Sequence, residues 1–184
     1  MSDAQSPLRL RKKHGSGKPT QVTSADGKRL VSAQSVRNTI VAGLIVIIIF
    51  SMFWIALSAL SNRVFPWFTI VLGFLLGHST RLAGRGIDWR FPFIAAVMAV
   101  AGSLIANVVV AASVTAEALG TGTLDVLRAV TSMTWPVYFD ERLTVADGFY
   151  AAVAAALAAF YANRRLTRFE YQALRLCREE REQD

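Results

Sequence analysis

The sequence predicts an all-α membrane protein with four transmembrane helices and both termini on the cytoplasmic side, and three observations carry that reading. Four charge-free apolar runs occupy residues 38–62, 64–80, 91–116 and 148–163 of the 184-residue chain, and the charges fall in the tails and connections around them. Basic residues alternate few and many from one connection to the next, as expected of a chain that crosses a bilayer repeatedly. The runs are also continuously apolar, whereas a barrel strand would be apolar only at alternate positions.

Residues 1–36 are rich in Ser, Gly, Lys and Gln and are expected to form a disordered basic cytoplasmic arm. The formal charge of +7 and the cluster Arg9-Leu10-Arg11-Lys12-Lys13 raise the question of nucleic acid. No aromatic residue occurs before Phe50, so the arm lacks the stacking platform that single strands use. The charges are read instead as topology signals that touch anionic headgroups, each contributing about 1 kcal/mol near the surface. Nucleic acid is not an expected partner.

The spans are placed at about residues 38–61, 65–83, 91–115 and 146–163, within a bundle covering 37–163. A helix rises about 1.5 Å per residue and the hydrocarbon slab is about 30 Å thick, so the first and third runs cross with residues to spare. The second reaches adequate length only by continuing through His78 to about Ala83, and the fourth only by starting near Val145 or by leaning on its neighbours. Ala56, Ser58 and Ala59 imitate a cleavage site, but the apolar stretch before them is too long for a signal peptide, so the first helix is expected to be retained. Pro66 and Pro92 fall in first turns, where a missing N–H costs nothing. Most tryptophans and tyrosines lie near span ends, as interfacial residues do, while Trp54 lies deeper.

Eight basic residues precede the first span, which puts the amino terminus inside. The outer loop, 116–145, holds an amphipathic helix in which Leu124, Val126, Leu127, Val130 and Met133 recur at helical spacing, ending at Trp135-Pro136-Val137-Tyr138-Phe139. Asp147 stands at the start of the fourth span, where the helix dipole favours a carboxylate. Residues 164–184 form a cytoplasmic helical tail, read as a continuation of the fourth span from Arg164 to about Glu180 without Gly or Pro.

Candidate sites are few. Gly73 and Gly77 share one face of the second span and the fourth is rich in alanine, which together allow close helix packing. Asn107 sits near the middle or outer half of the third span, where it can donate and accept, and a hydrogen bond to Ser103, Ser58 or Thr69 would suit it. His78, Arg81, Arg85 and Arg90 gather at one membrane boundary and are candidate lipid-headgroup contacts. No metal-ligand spacing, nucleophile elbow, phosphate loop or paired intramembrane carboxylate occurs, and Cys177 is the only cysteine. The chain is therefore expected to be no enzyme and to need no cofactor or metal.

Residues 73–86, Gly73-Phe74-Leu75-Leu76-Gly77-His78-Ser79-Thr80-Arg81-Leu82-Ala83-Gly84-Arg85-Gly86, followed by Phe91-Pro92-Phe93-Ile94-Ala95, resemble the glycine-rich helix, basic glycine turn and next apolar helix of small uncharacterised bacterial four-helix inner-membrane proteins. The resemblance covers residues 65–165 and implies a multi-pass protein of the bacterial inner membrane with no established activity. The long basic arm and the Arg/Glu tail depart from that pattern. The leading expectation is a non-enzymatic interaction or assembly component of a membrane complex. Its partners would be the bilayer with its anionic headgroups and either another membrane protein or further copies of the chain. The alternative is a small oligomeric channel or transporter.

Overall fold

A computed structural model describes residues 22–61, 63–133, 144–164 and 166–183. Among these the chain is helical, with seven α-helices: α1 Ser24–Ser32, α2 Val36–Ser61, α3 Thr69–Gly84, α4 Arg90–Leu119, α5 Thr123–Met133, α6 Val145–Ala162 and α7 Arg168–Gln183. A 3₁₀ turn, Pro66–Phe68, leads directly into α3. Three of the helices, α2 with 26 residues, α4 with 30 and α6 with 18, are long and apolar enough to cross a membrane. The second apolar run gives α3, whose 16 α-helical residues are fewer than those of any of the three.

Local sequence sets the ends of these helices. Thr23, Thr144 and Thr167 each stand three residues before an acidic side chain, and each pair starts a helix. The Asp147 carboxylate accepts from the Thr144 N–H at 2.9 Å and from its hydroxyl at 2.7 Å, while the Asp147 N–H donates to the Thr144 hydroxyl at 3.3 Å. Glu170 repeats this exchange with Thr167, and the Asp26 carboxylate accepts from the N–H and hydroxyl of Thr23. Such reciprocal bonds satisfy N–H groups that a helix start leaves orphaned. At the other end of α4, Gly120 takes the left-handed conformation, with φ 64°, and stops the helix.

The capping pairs account for two departures from expectation. The tail does not extend the fourth span: α6 stops at Ala162, Asn163 is extended, and Thr167 and Glu170 start α7 afresh. The arm, expected to lack order through residue 36, is helical at Ser24–Ser32, while residues 1–21 lie outside the described residues. A helix of nine residues is marginal by itself in water, and α1 is supported by packing along α7.

Helices α2, α3, α4 and α6 form the bundle. Both α2 and α6 pack against α3 and α4, and α3 also touches α4. Gly73 and Gly77 of α3 lie against the backbone of Ala154 and Ala158 of α6, so the two helices run parallel at close range. Gly43 of α2 faces Met98 of α4, and Gly102 of α4 faces Ile47 of α2, so that pair is parallel too. The core holds Trp54, Leu72, Leu76 and Val110, all fully buried, with Phe50, Trp54 and Phe68 in mutual ring contact. Trp54 is thus a core residue of the bundle.

The α3–α6 contact generates a test. A β-carbon at Gly73 would collide with the main chain of Ala154, which cannot rotate away as a side chain would. Gly73→Val is expected to destabilise the bundle by about 1–3 kcal/mol or more, read as a lower thermal midpoint in detergent. Gly148→Ala, where nothing lies within 4 Å of the new carbon, is expected to leave the midpoint unchanged or raise it.

Candidate functional site

Helix α3 divides the candidate residues between its two sides. One side carries Gly73 and Gly77, which are buried against α6, and there Phe74 meets the ring of Tyr161 edge to face at 4.8 Å between centroids. The other side carries Leu75, His78, Ser79 and Leu82, which face α2 across an apolar hollow of about 410 Å³. His78 is exposed at the mouth of this hollow and stacks on Phe74, with ring centroids 6.2 Å apart.

The turn from α3 to α4 carries the basic candidates. Arg85 and Arg90 are exposed and Arg81 is half-buried. Arg85 closes α3 in the left-handed region, at φ 48°, which is uncommon for a residue with a β-carbon. Around it the turn is pinned in three places. The Ser35 N–H donates to the Gly84 carbonyl at 3.1 Å, the Ile87 N–H donates to the Gln34 side-chain oxygen at 3.2 Å, and the Phe91 ring sits on Gly86 and Gly84. The glycines of this turn are therefore consumed by a packed aromatic ring and by Thr39, and they make no open cradle for an anion. Its arginines flank a corner that ties the start of α2 to α3 and α4. Gln34, Thr39 and Phe91 were not among the sequence candidates, because nothing in their local pattern marks contacts made by distant segments.

Asn107 does not make the hydrogen bond expected of it. It is half-buried, Thr69 donates instead to the Pro66 carbonyl, and the hydroxyls of Ser58 and Ser103 are buried with no partner among the described residues. The hydroxyls of Ser51 and Thr80 and the Trp54 indole nitrogen share that state. Helix-to-helix attachment among the described residues of this bundle therefore rests on small residues and on the packing of aliphatic and aromatic side chains. The polar side chains contribute none of the interhelical bonds expected of them.

On the same end of the bundle as the α3–α4 turn, α1 and α7 pack along one another. Gly27 lies under the Ala173 carbonyl and the Cys177 side chain, and Lys28 reaches Glu180 at 3.0 Å. Cys177 is consequently a buried free thiol within a helix pair. Arg164 forms an ion pair with Glu170, linking the end of the bundle to the cap of α7. The pair leaves Val31, Phe169, Tyr171 and Leu176 exposed. In α5, Leu124 is exposed and Val126 and Leu127 are half-buried against α4; the side chains of Val130 and Met133, and the segment from Trp135 to Phe139, lie outside the described residues. His14 does as well.

Three carboxylates outside the bundle are held below their ordinary range. The Lys28 ammonium, and after it the Ser24 hydroxyl, lower Glu180. The Thr167 N–H lowers Glu170, with burial opposing, and the Thr23 hydroxyl lowers Asp26. Comparison of the chain with family models, with curated proteins and with solved structures gives no match.

A lowered carboxyl pKa stabilises the folded arrangement above the ordinary pKa, and that contribution is lost as pH falls through the lowered value. The α1–α7 pair is therefore expected to hold at neutral pH and to loosen below about pH 4. Spin labels at Ala25→Cys and Arg178→Cys, in a Cys177→Ser background, would show a narrow distance distribution that broadens on acidification. Glu180→Gln should reduce that pH response, although an exposed ion pair contributes little by itself.

Proposed function

We propose that this chain is a non-catalytic, four-span protein of the bacterial inner membrane whose bundle holds the α1–α7 pair at the cytoplasmic face as a docking element for another membrane component. The observation that carries this reading is the packing of α1, which precedes the first span, on α7, which follows the last. Segments that flank a set of crossings can meet in water only after an even number of them. Helices α2, α4 and α6 alone would make three and would separate α1 from α7. A crossing by α3 restores the even count.

The length of α3 supports its crossing. Its 16 residues extend about 24 Å, and the 3₁₀ turn at Pro66–Phe68 adds about 6 Å, for a rod of about 30 Å that matches the hydrocarbon slab. Burial of Gly73 and Gly77 against α6 further suits a helix enclosed by three neighbours. The distribution of basic residues supports an orientation with both termini inside. Arg81, Arg85 and Arg90 lie at the same end as α1 and α7, and Arg63 is the one basic residue in the first connection.

The exposed Val31, Phe169, Tyr171 and Leu176 on the α1–α7 pair supply the apolar surface for docking, with arginines and glutamates around them. A packed core of Trp54, Leu72, Leu76 and Val110 favours anchoring over a path through a single copy.

Two measurements test this reading. Single cysteines at Arg63 and Arg85, in a Cys177→Ser background, are expected to react with a membrane-impermeant thiol reagent from opposite sides of the membrane. Reaction of both from the same side would remove the α3 crossing. Proximity labelling or native pull-down from native membranes is expected to recover a second membrane protein in stoichiometric amount, and to lose it when Phe169→Ser and Tyr171→Ser are combined. Recovery of this chain alone would overturn the docking role.

A further inference from the structure

Two hollows follow one another along the outer seam between α2 and α3. One, of about 480 Å³, is bounded by Arg37, Asn38, Ala42 and Ile45 of α2 and by Ala83 of α3. The other, of about 410 Å³, is bounded by Val46, Ile49 and Phe53 of α2 and by Leu75 and Leu82 of α3, with His78 at its mouth. Ala42 and Val46 stand one turn apart, as do Ile45 and Ile49, and Leu82 adjoins Ala83, so the two hollows share one seam. Each has the volume of an ordinary small-molecule site, roughly 300–1,000 Å³.

Chemistry changes along the seam. The end by Arg37 and Asn38 offers a cation and an amide, and no carboxylate lines either hollow. The rest is aliphatic and aromatic. Half of the hydrocarbon slab is about 15 Å, or about ten residues of helix, so a molecule whose head sits at Arg37 would lay its tails past Ala42 toward Ile49. That combination, one anionic head and a flexible apolar tail, describes a phospholipid.

A helix from a second copy fits this seam less well. Close helix pairing in a bilayer wants small residues at the contact. The seam has small Ala42, Ser79 and Ala83 along it but is dominated by Ile45, Ile49, Phe53, Leu75 and Leu82, whereas Gly73 and Gly77, which would allow the closest approach, are already spent on the α3–α6 contact. A flexible acyl chain can follow an irregular recess between bulky side chains where a rigid helix cannot.

We propose that the α2–α3 seam is a binding site for one anionic phospholipid, with its phosphate on Arg37 and Asn38 and its acyl chains in the recess that runs to Ile49 and His78. This moves the main headgroup contact from the α3–α4 turn to the start of α2, and it rests on the α3 crossing proposed above. The lipid would cover the exposed side chains of Ile45, Ile49, Phe53 and Leu82 and would hold the end of the bundle nearest the α1–α7 pair.

Native mass spectrometry of the full chain, released from nanodiscs of equimolar phosphatidylglycerol and phosphatidylcholine, tests the site. One phosphatidylglycerol is expected to be retained in preference to phosphatidylcholine. Arg37→Gln is expected to lower that preference about fivefold, the worth of one cation near an anionic headgroup. Ile49→Trp, at an exposed position that needs no core rearrangement, is expected to reduce retention of both lipids, while Ile105→Trp on the exposed face of α4 leaves it unchanged. Equal retention of the two lipids by the unmodified chain would overturn the proposal, as would retention indifferent to Arg37→Gln and Ile49→Trp, or a dimer that Ile49→Trp dissolves. Opposite-side labelling of the Arg63 and Arg85 cysteines together with any of those results would sink the lipid site alone; same-side labelling would sink the crossing on which it rests.

Discussion

The close approach of α3 to α6 is the constraint on which the rest of the molecule depends. Lipid tails are as apolar as leucine, so a bundle in a bilayer gains little from merely burying hydrocarbon and must instead gain from packing. Gly73 and Gly77 allow the α3 backbone to lie on that of Ala154 and Ala158, where any larger residue would hold the helices apart. That contact seats α3 among α2, α4 and α6, and it brings the end of α6 beside the end of α3. From there the chain turns at Asn163 into α7, within reach of α1.

A second set of contacts fixes the same end of the bundle from outside. Gln34 and Ser35, in the link between α1 and α2, bind the turn between α3 and α4, and the Phe91 ring closes over that turn's glycines. Two structural units, the bundle and the α1–α7 pair, are thus joined at both chain ends through short, hydrogen-bonded corners. Such corners suit the anchoring role proposed for the bundle.

Polar chemistry is sparse within the bundle and concentrated at its edges. The hydroxyls of Ser51, Ser58, Thr80 and Ser103, without a partner among the described residues, are small and lie among close-packed helices. The capping threonines and their carboxylates work at the helix starts instead, where backbone N–H groups lack partners. The function proposed here accordingly resides in surfaces, the exposed α1–α7 pair and the α2–α3 seam, and not in a reacting group.

The sequence by itself determined that the chain is helical and carries apolar membrane-length segments, because hydrophobic run length and the absence of alternation are local properties that no tertiary contact can supply. The starts of α1, α6 and α7 are equally local, written as Thr23 with Asp26, Thr144 with Asp147 and Thr167 with Glu170, although the polar composition around the first and the unbroken pattern around the last hide them. Only the tertiary structure decided that Asn107 bonds to none of its expected partners, that Trp54 is core, and that α1 finds α7. The Lys28–Glu180 pair joins positions 152 residues apart, and no periodicity or spacing encodes a contact across that distance. Such pairings arise when packed helices bring distant faces together, so they exist only once the bundle does.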